Sequence, residues 1–229
     1  MLRSNLTVHR ARLGPVDPAA GVDPGAVDRF SGHTLRDMPC PTVVWEGVAT
    51  VLFADLRNFT GMVEHREPAA VFVLLNNVHR VLIAAIHEHG GVVDKFLGDG
   101  LMATFGVGTA LGDHVERAVH AAITMQRRLK ALAPAFAKDG WPRVGIGVGL
   151  ASGRMVAGYV GIPGCVDYTV VGDTVFVASR LTAGAREGEV VLEEGAYAGV
   201  AEWLDAEPLG EIQMRGRARP VLVWQVRGL

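Results

Sequence analysis

The stretch Gly90–Phe105, GGVVDKFLGDGLMATF, constrains the fold more than any other part of the chain. Two short apolar runs flank Gly98-Asp99-Gly100, and a turn of Gly and Asp between such runs specifies a β-hairpin. The hairpin puts one carboxylate, Asp99, at its tip and one cation, Lys95, on the strand that leads there. A second acid, Asp55, ends the apolar run Val51-Leu52-Phe53-Ala54 and directly precedes the helix-start signal Asn58-Phe59-Thr60-Gly61. Two carboxylates at two strand ends are a donor set suited to a pair of divalent cations.

The surrounding pattern says how those ends meet. Residues 48–55 read as a buried strand, 60–65 as a short helix and 68–89 as a long one, with Val71, Leu74, Leu75, Val78, Leu82, Ile83 and Ile86 at helical spacing and Gly90 as a stop. After the hairpin, Asp113 and Glu116 form a capping-box pattern for a helix running to about Leu132, which Pro134 is expected to end. Strands are expected over 143–151, 154–160 and 167–171, a helix over 173–183, a strand over 189–192 and a helical turn over 194–200. Strands near 207–213 and 220–226 close the chain. The order predicts an α+β fold: a ferredoxin-like βαββαβ core with additional C-terminal strands and helix, its helices packed on a mainly antiparallel sheet. In that topology the strand after the hairpin tip lies antiparallel beside the first strand, so Asp55 and Asp99 meet at one edge. Two carboxylates that close repel unless a cation sits between them. The amides of Phe59, Thr60 and Gly61 open a helix next to them, a natural seat for phosphate oxygens.

Composition narrows the function classes. A 229-residue chain, 49% hydrophobic, can build one good-sized core or a core and a tail. A net charge of −2 gives no basic field for nucleic acid. Two cysteines, Cys40 and Cys165, make no disulfide framework and fit a reducing cytoplasm. No apolar run reads as a transmembrane span of ~20 residues, and the N-terminus has no signal-peptide core. A cytoplasmic protein is expected. Residues 1–44 hold Pro15, Pro18, Pro24, Pro39 and Pro41 without periodicity and read as a flexible or loosely docked tail. Arg3, Arg10 and Arg12 there could touch an anionic membrane or a partner.

Three motifs carry a resemblance. Phe53-Ala54-Asp55-Leu56-Arg57-Asn58-Phe59-Thr60, Lys95-Phe96-Leu97-Gly98-Asp99-Gly100, and Asp167-Tyr168-Thr169-Val170-Val171-Gly172-Asp173-Thr174-Val175 with Ala178-Ser179-Arg180-Leu181 resemble, in order and at similar spacing, the class III nucleotide cyclase (adenylyl/guanylyl cyclase) catalytic domain. The resemblance makes 45–229 the catalytic domain. It implies a homodimer with two composite sites: Asp55 and Asp99 of one chain holding two Mg²⁺ or Mn²⁺ ions, Lys95 and Thr169 of the other reading the purine. Adenine offers an N1 acceptor and an N6 donor, which a lysine and a hydroxyl can meet; guanine presents the reverse. ATP is therefore expected over GTP. Arg180 matches the arginine that stabilises charge on the transferring phosphate, and Arg215 or Arg217 stands where a basic residue reaches the terminal phosphates. The implied chemistry is in-line attack of the ribose 3′-OH on the α-phosphorus, giving 3′,5′-cyclic AMP and pyrophosphate. One position departs from the family: Phe176 stands where an asparagine usually orients the ribose and the reacting phosphate.

Rival readings are weaker. Gly145-Ile146-Gly147-Val148-Gly149 is followed by strand rather than helix, so a dinucleotide loop is rejected in favour of glycines that permit close packing. His87-Glu88-His89 scatters its side chains around a helix and does not suit zinc. His65, His79, His114 and His120 are expected on helix surfaces or in loops. A non-catalytic nucleotide-binding module, motivated by Phe176, is the alternative to an adenylyl cyclase. A diguanylate-cyclase-type enzyme is a distant third, because its Gly-Gly-acid-acid-Phe signature is missing at the hairpin.

Overall fold

The computed structural model describes residues 42–109, 112–141, 143–162 and 165–228. Most of the proposed N-terminal tail lies outside the described residues. Among the described residues, eight strands form one sheet in the order β2-β3-β1-β4-β6-β8-β7, with β5 paired to β4. The strands are β1 (Thr42–Leu56), β2 (Val92–Leu97), β3 (Gly100–Phe105), β4 (Ile146–Ile162), β5 (Cys165–Val171), β6 (Val190–Glu193), β7 (Ala206–Ile212) and β8 (Val221–Val226). The helices are α1 (Phe59–Val63), α2 (Pro68–Glu88), α3 (His114–Lys138), α4 (Asp173–Gly184) and α5 (Glu194–Ala198). Every pairing is antiparallel except β4 with β6. The expected α+β architecture is the one observed.

Strict alternation along β1 gives the sheet two buried faces. Leu52, Ala54 and Leu56 join Leu101, Ala103 and Phe105 of β3 and the stripes of α2 and α3 in one core cluster. Ala49, Val51 and Phe53 join Met102, Met155 and Val170 under Val177, Ala178 and Leu181 of α4 in the other. The glycines of the β4 entry do serve packing. A Cβ on Gly149 would sit 2.7 Å from the Ala178 carbonyl, and one on Gly147 2.9 Å from that of Ala185.

Several local expectations are corrected. β1 begins at Thr42, inside the span read as tail, because its first residues pair with Tyr159 and Gly158 far along β4. β4 runs unbroken through Gly153, since the antiparallel partner β1 is continuous from Gly47 to Leu56. Pro134 lies within α3, which continues to Lys138 and buries Phe136. That burial outweighs the lost backbone hydrogen bond. Asp113 makes no side-chain cap; it pairs instead with Arg117 at 2.7 Å. α2 is long and apolar enough to cross a membrane by length and composition only, although Asn76, Asn77, His79 and Arg80 interrupt its apolar run. Here it packs Leu74, Val78, Leu82, Ala85 and Ile86 into the core. His79 and His114 are half-buried rather than superficial, and burial lowers both below the ordinary imidazole value. His114 Nδ1 lies 2.8 Å from Thr50 Oγ1.

Candidate active site

The hairpin forms as the turn chemistry requires. Leu97 pairs with Gly100, leaving Gly98-Asp99 as a two-residue turn in which Gly98 takes φ 69°. β3 then lies antiparallel on β1, with Leu101 opposite Ala54, so Asp99 arrives beside Asp55. Their fields overlap: burial and then the Asp99 charge hold the Asp55 carboxyl above the ordinary carboxylate range, with Arg57 pulling the other way. A raised carboxylate beside a second one is an anionic pair in want of a cation. The oxygen-only donors suit Mg²⁺ or Mn²⁺, which bind through one or two carboxylates and keep positions for water and phosphate oxygens. Among the described residues no cluster of three or more His, Cys, Asp or Glu side chains is arranged for a metal.

Gly100 makes this closeness possible. A Cβ there would fall 2.6 Å from the Ala54 carbonyl and 2.7 Å from Asp55 Oδ1. Gly100→Ala is therefore expected to force β3 off β1 or to swing the Asp55 carboxylate away. The cost should be about 1–3 kcal/mol in urea unfolding, with activity falling further than stability. An alanine variant with wild-type stability and turnover would refute this account of the glycine.

Arg57, which sequence reasoning passed over although it lies in the first motif, fixes Asp55 from the other side. Its guanidinium ion-pairs with the Asp55 carboxylate and donates to the Asp55 carbonyl at 3.2 Å. It also donates to the carbonyls of Thr182 and Ala185 at 3.3 Å, where α4 ends. A cation at a helix C-terminus satisfies carbonyls that the helix leaves open. The acid is thereby tied to α4. Between Arg57 and α1, Asn58 turns the chain with φ 56°, a left-handed conformation that Asn tolerates. The amides of Phe59, Thr60 and Gly61 follow, and the first backbone bond across this turn runs from Met62 N to the Asn58 carbonyl.

Lys95 and Thr169 are brought together from β2 and β5. Lys95 ion-pairs with Asp167 and lies 3.4 Å from Asp94 Oδ1, to which Thr169 Oγ1 donates at 3.1 Å. Burial works against the Lys95 charge, but the Asp167 hydrogen bond and the Asp94 and Asp167 carboxylates outweigh it and raise the ammonium above its ordinary value. Neither Asp94 nor Asp167 was singled out from sequence, although each adjoins or lies within a quoted motif. Lys95 is opposite Met102 and Met102 opposite Phe53, so the lysine shares the α4-covered face of the sheet. Asp55, two residues beyond Phe53 in β1, lies on that same face.

Arg180 and Arg215 line one cavity of about 280 Å³ between α4, β6 and the β7–β8 connection. Arg217 is bonded to Asp173 Oδ2 at 3.0 Å, and of the two C-terminal arginines Arg215 is the one that shares this lining with Arg180. Phe176, one turn before Arg180 on α4, packs on the second core cluster, and its ring lies 5.0 Å from the Arg180 guanidinium carbon.

The sequence profile of the adenylate and guanylate cyclase catalytic domain matches residues 45–228. The chain belongs to this family. The cyclase domain is 40% identical over 136 residues to an adenylate cyclase of Anabaena cylindrica, covering 58% of this chain and 26% of that protein. It thus spans about a quarter of that relative's length. Among solved structures it resembles the adenylyl cyclase CyaB from P. aeruginosa, with a TM-score of 0.78 and 30% identity over 81% of this chain and 96% of that one. It equally resembles the guanylyl cyclase Cya2, with a TM-score of 0.78 and 28% identity over 82% and 95%. Adenylyl and guanylyl cyclases therefore stand side by side among its neighbours, and the base preference has to be argued from the site.

Proposed function

We propose that this cyclase domain converts ATP to 3′,5′-cyclic AMP and pyrophosphate, acting as a cytoplasmic homodimer with composite sites. The observation that carries the choice of ATP is the pairing of a charged Lys95 with Thr169 on one buried carboxylate. A held ammonium can donate to the adenine N1 acceptor, and a hydroxyl oxygen can accept from the N6 amino group. Guanine would bring an N1–H donor against the ammonium, and a buried mismatch of that kind is strongly rejected.

In this reading Asp55 and Asp99 hold two divalent cations, which lower the pKa of the ribose 3′-OH and neutralise phosphate charge when bound. The amides of Phe59, Thr60 and Gly61 cradle phosphate oxygens. Arg180 meets charge developing on the α-phosphate, and Arg215, in the same cavity, reaches the terminal phosphates. Lys95 and Thr169 come from the partner chain and set the base. Asp167, now paired with Lys95, releases it when the purine arrives.

Product analysis with ATP and with GTP, each with Mn²⁺ and with Mg²⁺, tests the reading. Cyclic AMP is expected as the main product, with turnover per chain rising with protein concentration as dimers form. Cyclic GMP as the main product would overturn the assignment of the base. A second reading, a domain that binds nucleotide and turns it over slowly or not at all, is favoured by Phe176, whose ring offers no donor and lies against Arg180. ATP binding without product at any concentration would select it.

A further inference from the structure

Asp94 contacts no part of the substrate in the reading above, yet it joins the two side chains that would read the purine. Its side chain is only 4% exposed. The register of β2 on β3 shifts between Val93 and Lys95, so Asp94 occupies a bulge. A bulge releases neighbouring side chains from strict alternation, and Asp94 and Lys95 both reach β5. One oxygen, Asp94 Oδ1, accepts from the Thr169 hydroxyl at 3.1 Å and lies 3.4 Å from Lys95 Nζ.

A threonine hydroxyl has one proton and two lone pairs. Left to itself it can donate to the 6-oxo group of guanine as readily as it can accept from the 6-amino group of adenine. With its proton committed to a buried carboxylate, only lone pairs remain for the base. We infer that Asp94 is a positioning residue for purine selection: it fixes the Thr169 hydroxyl as an acceptor and so tunes the pocket to a 6-aminopurine nucleotide. Lys95, held by the same carboxylate, supplies the complementary donor. The selectivity thus comes from the direction of one hydrogen bond behind the contact residues. A 6-oxopurine meets two outward-facing elements of the wrong polarity, the Thr169 lone pairs and the Lys95 ammonium.

This inference rests on the adenylyl reading of the same site, and the experiment separates the two. ATP and GTP are compared by kcat/KM and, independently of turnover, by titration calorimetry, in the wild type, Asp94→Ala, Asp94→Asn, Thr169→Val and the Asp94→Ala/Thr169→Val double variant. The wild-type ratio tests the reading: a preference for GTP would overturn it. The change in that ratio tests the inference. Asp94→Ala frees the hydroxyl to turn towards the base and is expected to shift the ratio at least tenfold towards GTP. Asp94→Asn keeps an acceptor oxygen without the charge and is expected to hold the ratio within about threefold of the wild type. In the Thr169→Val background, Asp94→Ala should move the ratio no further, since the hydroxyl it acts through is gone. An unchanged ratio in Asp94→Ala would overturn the inference. So would an equal shift in Asp94→Asn, which would trace the effect to the charge beside Lys95, or a full additional shift in the double variant.

Discussion

Asp55→Ala is expected to lower cyclic nucleotide formation by more than about 10³-fold, because metal stabilisation of transferring phosphate is worth several kcal/mol and each ~1.4 kcal/mol is tenfold. Asp55 lies against Gly100 where β1 meets the hairpin tip, and the acid whose charge acts on it there is Asp99. The same residue has an opposite effect on the metal-free fold. Burial and Asp99 hold its carboxyl above the ordinary range, against the pull of Arg57. The native state then keeps a proton that the unfolded chain has already lost, so stability falls as pH rises from the unfolded carboxylate pKa of about 3.9 through the raised native value. Above that value the loss is complete. Asp55→Asn removes this titration, and in chelator its melting temperature should fall less than the wild type's across that window. Mn²⁺ should reverse the ranking at neutral pH. Saturating metal at about 100 times its Kd stabilises a binding protein by roughly 2.7 kcal/mol, and the variant should gain little of this. Equal Mn²⁺-dependent melting shifts in both proteins would remove Asp55 from the metal site.

How much of this could be seen in the sequence depends on the distance over which each feature is decided. The Gly98-Asp99 turn and the α2 stripe are local, and both appear as expected. The meeting of Asp55 and Asp99 follows from topology alone: once the hairpin lies back on β1, the two strand ends coincide. Pro134 was misread as a stop, and β4 was read as two strands broken between 151 and 154, because the deciding context lies elsewhere. Phe136 is buried against the core, and Gly153 is paired to Ala49 on a continuous β1. The site shows the same division. Lys95 and Thr169 stand in motifs, whereas Asp94 becomes meaningful only when β5 returns across the sheet to place Thr169 against it. Arg57 has no evident role in the sequence, because the α4 carbonyls that receive it lie more than a hundred residues away. The side chains proposed to meet substrate sit in recognisable strings. The carboxylates and carbonyls that aim them are recruited from far along the chain, and only the fold reveals them.

Phe176→Asn is expected to raise turnover by about 10- to 100-fold, somewhat below the ~10²–10³ that one preorganised donor is worth, since the residues packed on the ring would have to adjust to the smaller amide. Two effects work in the same direction. An amide at this position of α4 can donate towards the ribose or the reacting phosphate, and removing the ring releases the Arg180 guanidinium that now lies over it. A third effect opposes them: the partly buried phenyl packs on the second core cluster. Its loss should cost about 1–2 kcal/mol, less than the ~3–5 of a fully buried phenylalanine replaced by alanine. Denaturant unfolding beside single-turnover kinetics separates these contributions. Phe176→Leu completes the comparison, because it keeps most of the burial, abolishes the stacking and adds no donor. If the missing donor limits the rate, Phe176→Leu stays near wild-type turnover while Phe176→Asn exceeds it. If captivity of Arg180 limits the rate, both variants gain. A fall in both, with the fold intact, would mean that the ring holds Arg180 in its working position by stacking.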